Sequence, residues 1–124
     1  MIRGERGATT ISEDRPELIQ TETEILVKEI VKANEIQPED IISVLISTTT
    51  DITSGFPAKA VRSLDGWQYV PTMCMHEMSV PNALPLCIRV LLHVNTELSQ
   101  KDVRHVYLNN AVSLRPDLVQ EANK

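Results

Sequence analysis

Seven arginines stand out in this 124-residue sequence, and they avoid its one long acidic segment, which only Arg15 approaches. The most telling is Arg89, inside the β-branched apolar run "LCIRVLLHVNT" at 86–96. A guanidinium stays charged in a protein and is costly to bury without a partner, so Arg89 calls for an anion. Arg6, Arg62 and Arg115 sit at strand ends or beside loops, and Arg6 lies between Gly4 and Gly7, where backbone can approach closely. Taken singly, each reads as a solvated surface arginine. Taken together, their planar forks suit a ligand with two carboxylates.

Other polar groups fit around such a ligand. Glu77, in "CMHEM", follows an apolar run and could accept from a ligand hydroxyl; as a lone acid it reads first as a surface residue at a strand end. Tyr107, in "RHVYL", offers a phenol that can donate to a carboxylate, although a rim tyrosine is the commoner case. Cys74, His76, His93 and His105 contain no C-x-x-C or H-x-x-x-H pair, so no metal set can be assembled from spacing. Nor does anything in the sequence aim a base at either thiol.

These residues must be held by a single modest domain, read over 1–124. The 42% hydrophobic and 23% charged fractions are those of an ordinary globular chain. No apolar run reaches the roughly 18 residues of a membrane span and no leader pattern opens the chain, which predicts a cytoplasmic protein with Cys74 and Cys87 as free thiols. Residues 13–40 carry nine acids against three bases, a net −6, leaving the rest of the chain at +1. With four aromatics and no basic stripe, nucleic-acid binding is not expected.

The pattern predicts a first strand ending near Thr10, then a helix capped by Asp14 with Pro16 and Glu17 in its first turn. Ile19, Leu26, Ile30 and Ala33 recur at spacings of 7, 4 and 3 and form the apolar face of that helix, which runs to about Asn34. "IISVLIST" reads as a buried strand after the "QPED" turn, and "KAVRSL" as a short helix closed by Gly66. "WQYVPTMCM", "LCIRVLLHVNT" and "RHVYLNNAVSL" are the third, fourth and fifth strands, with a turn of helix at "SQKDV". The order is that of an α+β fold, a five-stranded mixed sheet with one main helix and short helical turns. One helix covers one face. Ile88, Val90, Leu92 and Val94 suit that face, whereas Cys87, Arg89, Leu91, His93 and Asn95 point away from it, to a cleft or a subunit interface.

Six stretches taken in order, "RGERGATT", "FPAKAVR", "GWQYVP", "CMHEM", "LCIRVL" and "RHVYLNNAVSLRPDL", strongly resemble the monofunctional AroH-type chorismate mutases. The resemblance spans nearly the whole chain. It implies a homotrimer around a central β-barrel, with active sites between subunits, and the rearrangement of chorismate to prephenate in aromatic amino acid biosynthesis. That reaction is a [3,3] pericyclic shift that calls for no nucleophile, metal or cofactor. By the family motifs, Arg89 would donate to the ether oxygen and a carboxylate, Glu77 would accept from the ring hydroxyl, and Cys74 would lie beside it. Arg6 and Tyr107 would bind the enolpyruvyl carboxylate. Phe56 and Leu114 would be apolar walls, Arg62 and Arg115 would hold the dianion near the mouth, and Ala58 and Lys59 would border the site. Met73 also falls in the site, where relatives often place threonine.

Two other readings stay open at this level. One is a different enzyme on the same trimeric architecture, such as an imine deaminase, which leaves Glu77, Tyr107 and the remaining arginines unexplained. The other is a regulatory module that binds a carboxylate ligand without turning it over, against which stands the presence of both Arg89 and Glu77.

Overall fold

The computed structural model describes residues 1–114. Alternation of apolar residues builds its sheet from β1 (Ile2–Thr10), β2 (Ile41–Thr48), β3 (Thr72–His76), β4 (Cys87–Asn95) and β5 (Val106–Tyr107). The strand order is β3-β2-β4-β1-β5. Pairing is antiparallel for β1 with β4 and β4 with β2, and parallel for β2 with β3 and β1 with β5, so the sheet is mixed as expected. The long helix α1 (Pro16–Asn34) lies across one face, and a short helix α2 (Ala58–Arg62) packs beside it.

The core lies between α1 and the sheet. Ile19, Leu26, Val27 and Ile30 meet Val44, Ile46, Ile88, Val90, Leu92 and Val94, all buried. The β4 residues assigned to the helix face are therefore there. Gly7 permits the close approach of α1 to β1: a Cβ at this position would lie 2.6 Å from Ile30 Cδ1 and 2.9 Å from Leu26 Cδ1. At the C-terminal end of α1, Asn34 rather than Ala33 is buried. Its Nδ2 donates to Ile30 O and Arg104 O, and its Oδ1 accepts from Arg104 N, so the polar side chain is satisfied where it leaves solvent.

Several expected elements differ. Asp14 does not cap α1: Arg15 takes the N-cap position without a side-chain hydrogen bond, and the Asp14 carboxylate turns to Thr53 and Ser54, where more donors converge. The third strand begins at Thr72, not Trp67. Gly66, at φ 84°, turns the chain so that Trp67 plugs the core, and Pro71, without an N–H, precedes the ladder. The fifth strand shrinks to two residues because Asn109 enters the left-handed region at φ 53° and starts a 3-10 turn over Asn109–Leu114. The Asn109 amide donates to Thr9 Oγ1, Thr10 O and Glu22 Oε2, which repays leaving the ladder. Residues 99–102 make a hydrogen-bonded turn and not a helix.

Candidate active site

Register across the sheet builds the site. Ala8 of β1 pairs with Arg89 on one side and Tyr107 on the other, and Arg89 pairs in turn with Ser47 of β2. All four project from the face opposite α1, since Gly7, the neighbour of Ala8, faces the helix. Small Ala8 and Ser47 flank Arg89, so the guanidinium rises from a shallow floor. With strands about 4.8 Å apart, Tyr107 lies two strands from Arg89, about 10 Å at the backbone, a span that suits a small ring bearing two carboxylates.

These residues line a cleft of about 540 Å³, within the usual range for a small-molecule site. Arg6, Glu77, Arg89, Tyr107 and Leu114 all line it. Glu77 is placed just past β3, where its N–H donates to Thr48 O at 2.7 Å. Its Oε1 accepts from Met78 N at 3.0 Å, while Oε2 lies 3.9 Å from Arg89 Nε. That pair is loose and half exposed, with side-chain exposures of 48% for Arg89 and 33% for Glu77. Both charges thus keep capacity for a third group. Arg89 also touches the buried Cys87 thiol. Burial pushes that thiol's pKa up, and the guanidinium pulls the other way.

A second cleft of about 480 Å³ adjoins the first, sharing Met75 and His76 with it, and holds Phe56 and Cys74. Cys74 lies against α2, near the Ala58 backbone and the Arg62 guanidinium, with its pKa raised chiefly by burial. Within one chain it does not line the cleft of Glu77. Ala58 is buried, Lys59 and Arg62 are exposed on α2, and Met73 is exposed on β3. Phe56 is 78% exposed, unusual for the chain's sole phenylalanine. Arg115 lies outside the described residues. Of the twelve candidate residues, Arg6, Glu77, Arg89, Tyr107 and Leu114 share the Arg89 cleft, Phe56 and Cys74 share the second, Ala58, Lys59, Arg62 and Met73 line neither, and Arg115 stands apart from these three sets. Ser47 enters the Arg89 cleft unannounced by the sequence, because β2–β4 register is invisible there. Among the described residues no three His, Cys, Asp or Glu side chains converge as a metal set, and no helix is long and apolar enough to cross a membrane.

A mixed α+β sheet with an arginine-floored cleft on its uncovered face defines a protein built to hold a small anion. Comparison with known proteins sharpens that class. The chorismate mutase type I family model matches residues 2–118, and the chain belongs to this family. It is 52% identical over 118 residues to the chorismate mutase AroH of Bacillus subtilis, covering 95% of this chain and 93% of that protein. It is 48% identical over 119 residues to the chorismate mutase AroH of Thermus thermophilus, covering 95% and 97%. A solved chorismate mutase from Clostridium thermocellum superposes with a TM-score of 0.86 at 44% identity, covering 89% of this chain and 97% of that one.

Proposed function

We propose that this chain, as one domain over 1–124, converts chorismate to prephenate in the cleft floored by Arg89. The reaction breaks the ether C–O bond as a C–C bond forms within one molecule. The protein's tasks are to hold a flexible dianion in its compact diaxial conformer and to stabilise negative charge growing on the ether oxygen. Arg89 donates to that oxygen and to a substrate carboxylate. Glu77 accepts from the ring hydroxyl and favours the ring as it becomes cationic. Arg6 and Tyr107 bind the enolpyruvyl carboxylate, and Leu114 is an apolar wall. The observation that carries this reading is the loose Arg89–Glu77 pair, 3.9 Å apart and open to the cleft rather than closed on itself.

The remaining residues act across a subunit boundary. Phe56 and Cys74 line the adjoining cleft, and we assign them, with Ala58, Lys59 and Arg62 on α2 and Met73 on β3, to the site of a neighbouring copy in a homotrimer, with Arg115 near the mouth. The uncovered sheet face supports this, since Leu45, Leu91, Met73 and Met75 lie on it and both methionines are exposed in the single chain. The reduced state of Cys74 and Cys87 suits a cytoplasmic enzyme.

Subunit mixing tests the assignment. Arg89→Ala and Lys59→Ala/Arg62→Ala chains, each with little turnover alone at chorismate concentrations near the wild-type KM, should regain activity there when co-refolded. Every mixed trimer then contains a site with both halves intact, giving about a quarter of wild-type turnover for random assembly. No recovery in mixed trimers would place all of these residues in one subunit's site.

A further inference from the structure

Asp14 lies outside both clefts, yet its carboxylate takes up every hydrogen-bond donor of two consecutive loop residues. Thr53 donates to Oδ2 through its N–H and its hydroxyl, both at 3.0 Å. Ser54 donates to Oδ1 through its N–H at 3.2 Å and its hydroxyl at 2.7 Å. The Ser54 hydroxyl first, and with it the other three donors, hold the Asp14 carboxyl below its ordinary pKa against the opposing push of partial desolvation.

The clamped segment is the one that carries the second half of the site. Before it, Ile52 is buried and its carbonyl lies 3.1 Å from His76 Nε2. After it, Ala58, Ala60 and Val61 fix α2 in the core. Between these two anchors, residues 53, 54 and 56 are exposed, and Gly55 packs toward the start of α1, where a Cβ added to it would lie 3.8 Å from Ile19 Cδ1 and from Pro16. Phe56 follows directly, held out of the core, and its carbonyl accepts from Lys59 N as α2 begins.

We propose that Asp14 is a positioning residue for the mutase reaction, clamping residues 53–54 to the start of α1 so that Phe56, Lys59 and Arg62 are presented in a fixed place to the substrate. The inference rests on the mutase reading and on the assignment of those three residues to the site. It also explains why an acid placed to cap the helix leaves the cap empty. One carboxylate with two acceptor oxygens satisfies four loop donors, whereas at the N-cap it would meet one or two helix N–H groups.

The test compares wild type with Asp14→Ala and Asp14→Asn. Steady-state chorismate turnover is measured beside limited trypsin digestion, with cleavage after Lys59 and Arg62 identified by mass. Loosening a ground-state binding element should raise KM by about three- to tenfold while leaving kcat within about twofold, and should speed cleavage at both sites. The KM effect should shrink in an Arg62→Ala background, because the two changes act through the same contact. Unchanged KM and cleavage would overturn the proposal. So would a kcat and melting temperature that fall together with KM constant, which is the mark of a purely structural role. If wild type itself turns over no chorismate, the mutase reading fails separately, and cleavage rates still accept or reject the clamp.

Discussion

Replacing Glu5 with glutamine should make the fold more stable at pH 8 and leave it little changed near pH 4.5. Glu5 lies on the α1 face of β1 with no exposed surface, and among the described residues neither carboxylate oxygen has a hydrogen-bond partner. Burial alone pushes its pKa from 4.5 up to about 7. A folded-state pKa above the unfolded one means that the native state binds the proton more tightly, so stability is full below about pH 4.5 and is lost as pH rises through 7. The complete loss is about 3 kcal/mol, a large fraction of a typical domain's stability. Urea unfolding of wild type and Glu5→Gln at fixed protein concentration measures it, because subtracting the two curves cancels the titration of other groups. The stabilisation by Glu5→Gln should grow by about 2.5 kcal/mol between pH 5 and pH 8. Glu5→Leu should follow the same curve with an added gain from apolar burial. A pH-independent difference, or destabilisation by Gln at both pH values, would show that Glu5 is ionised and paired in the fold, and the reasoning would be wrong.

Other expectations follow from the site and its support. Gly7→Ala drives a methyl into Ile30, Leu26 and the Val106 carbonyl and should cost about 1–3 kcal/mol in the same unfolding assay; a neutral result would mean that α1 shifts freely. Arg89→Lys should recover only part of a loss of roughly 10²–10³ in kcat caused by Arg89→Ala, because the ammonium lacks the planar fork; equal rates for Lys and Arg would reduce the role of Arg89 to simple charge. Arg115→Ala should raise KM with kcat preserved, and a fall in kcat alone would contradict its place in ground-state binding. Cys74→Ser should keep turnover, and so should assay in chelator; abolition by either would bring back a thiol or metal mechanism.

How much of this was legible in the sequence depended on whether one segment was enough to specify the answer. The α1 face and the alternation of β4 are local patterns, and Ile19, Leu26, Ile88 and Val90 fell where their periods put them. Arg89 stood out because its neighbours are apolar, and the opposite face of β4 proved to be the floor of a cleft. Elements ended unexpectedly where a side chain found distant partners. Asn109 stops β5 by bonding to Thr9 and Glu22, about a hundred and about ninety positions away, and Asp14 abandons its helix for a loop near residue 53. Neither partner can be read from local spacing. Glu5 was the least legible. In "RGERGATT" it reads as one more solvated acid, and only the packing of α1 over β1 reveals a carboxyl sealed from water. The gathering of Arg6, Glu77 and Tyr107 around Arg89 depends on strand register between segments far apart, which residue types alone do not encode.

The most direct test of the account is the loss of chorismate's ultraviolet absorbance with purified protein in chelator, run beside Arg89→Ala of matched fold and assembly. Saturable turnover by wild type that drops by roughly 10²–10³ in the variant is the predicted result. Binding of chorismate without turnover, or turnover that survives intact in Arg89→Ala, would contradict the claim that this arginine stabilises the charge developing on the ether oxygen.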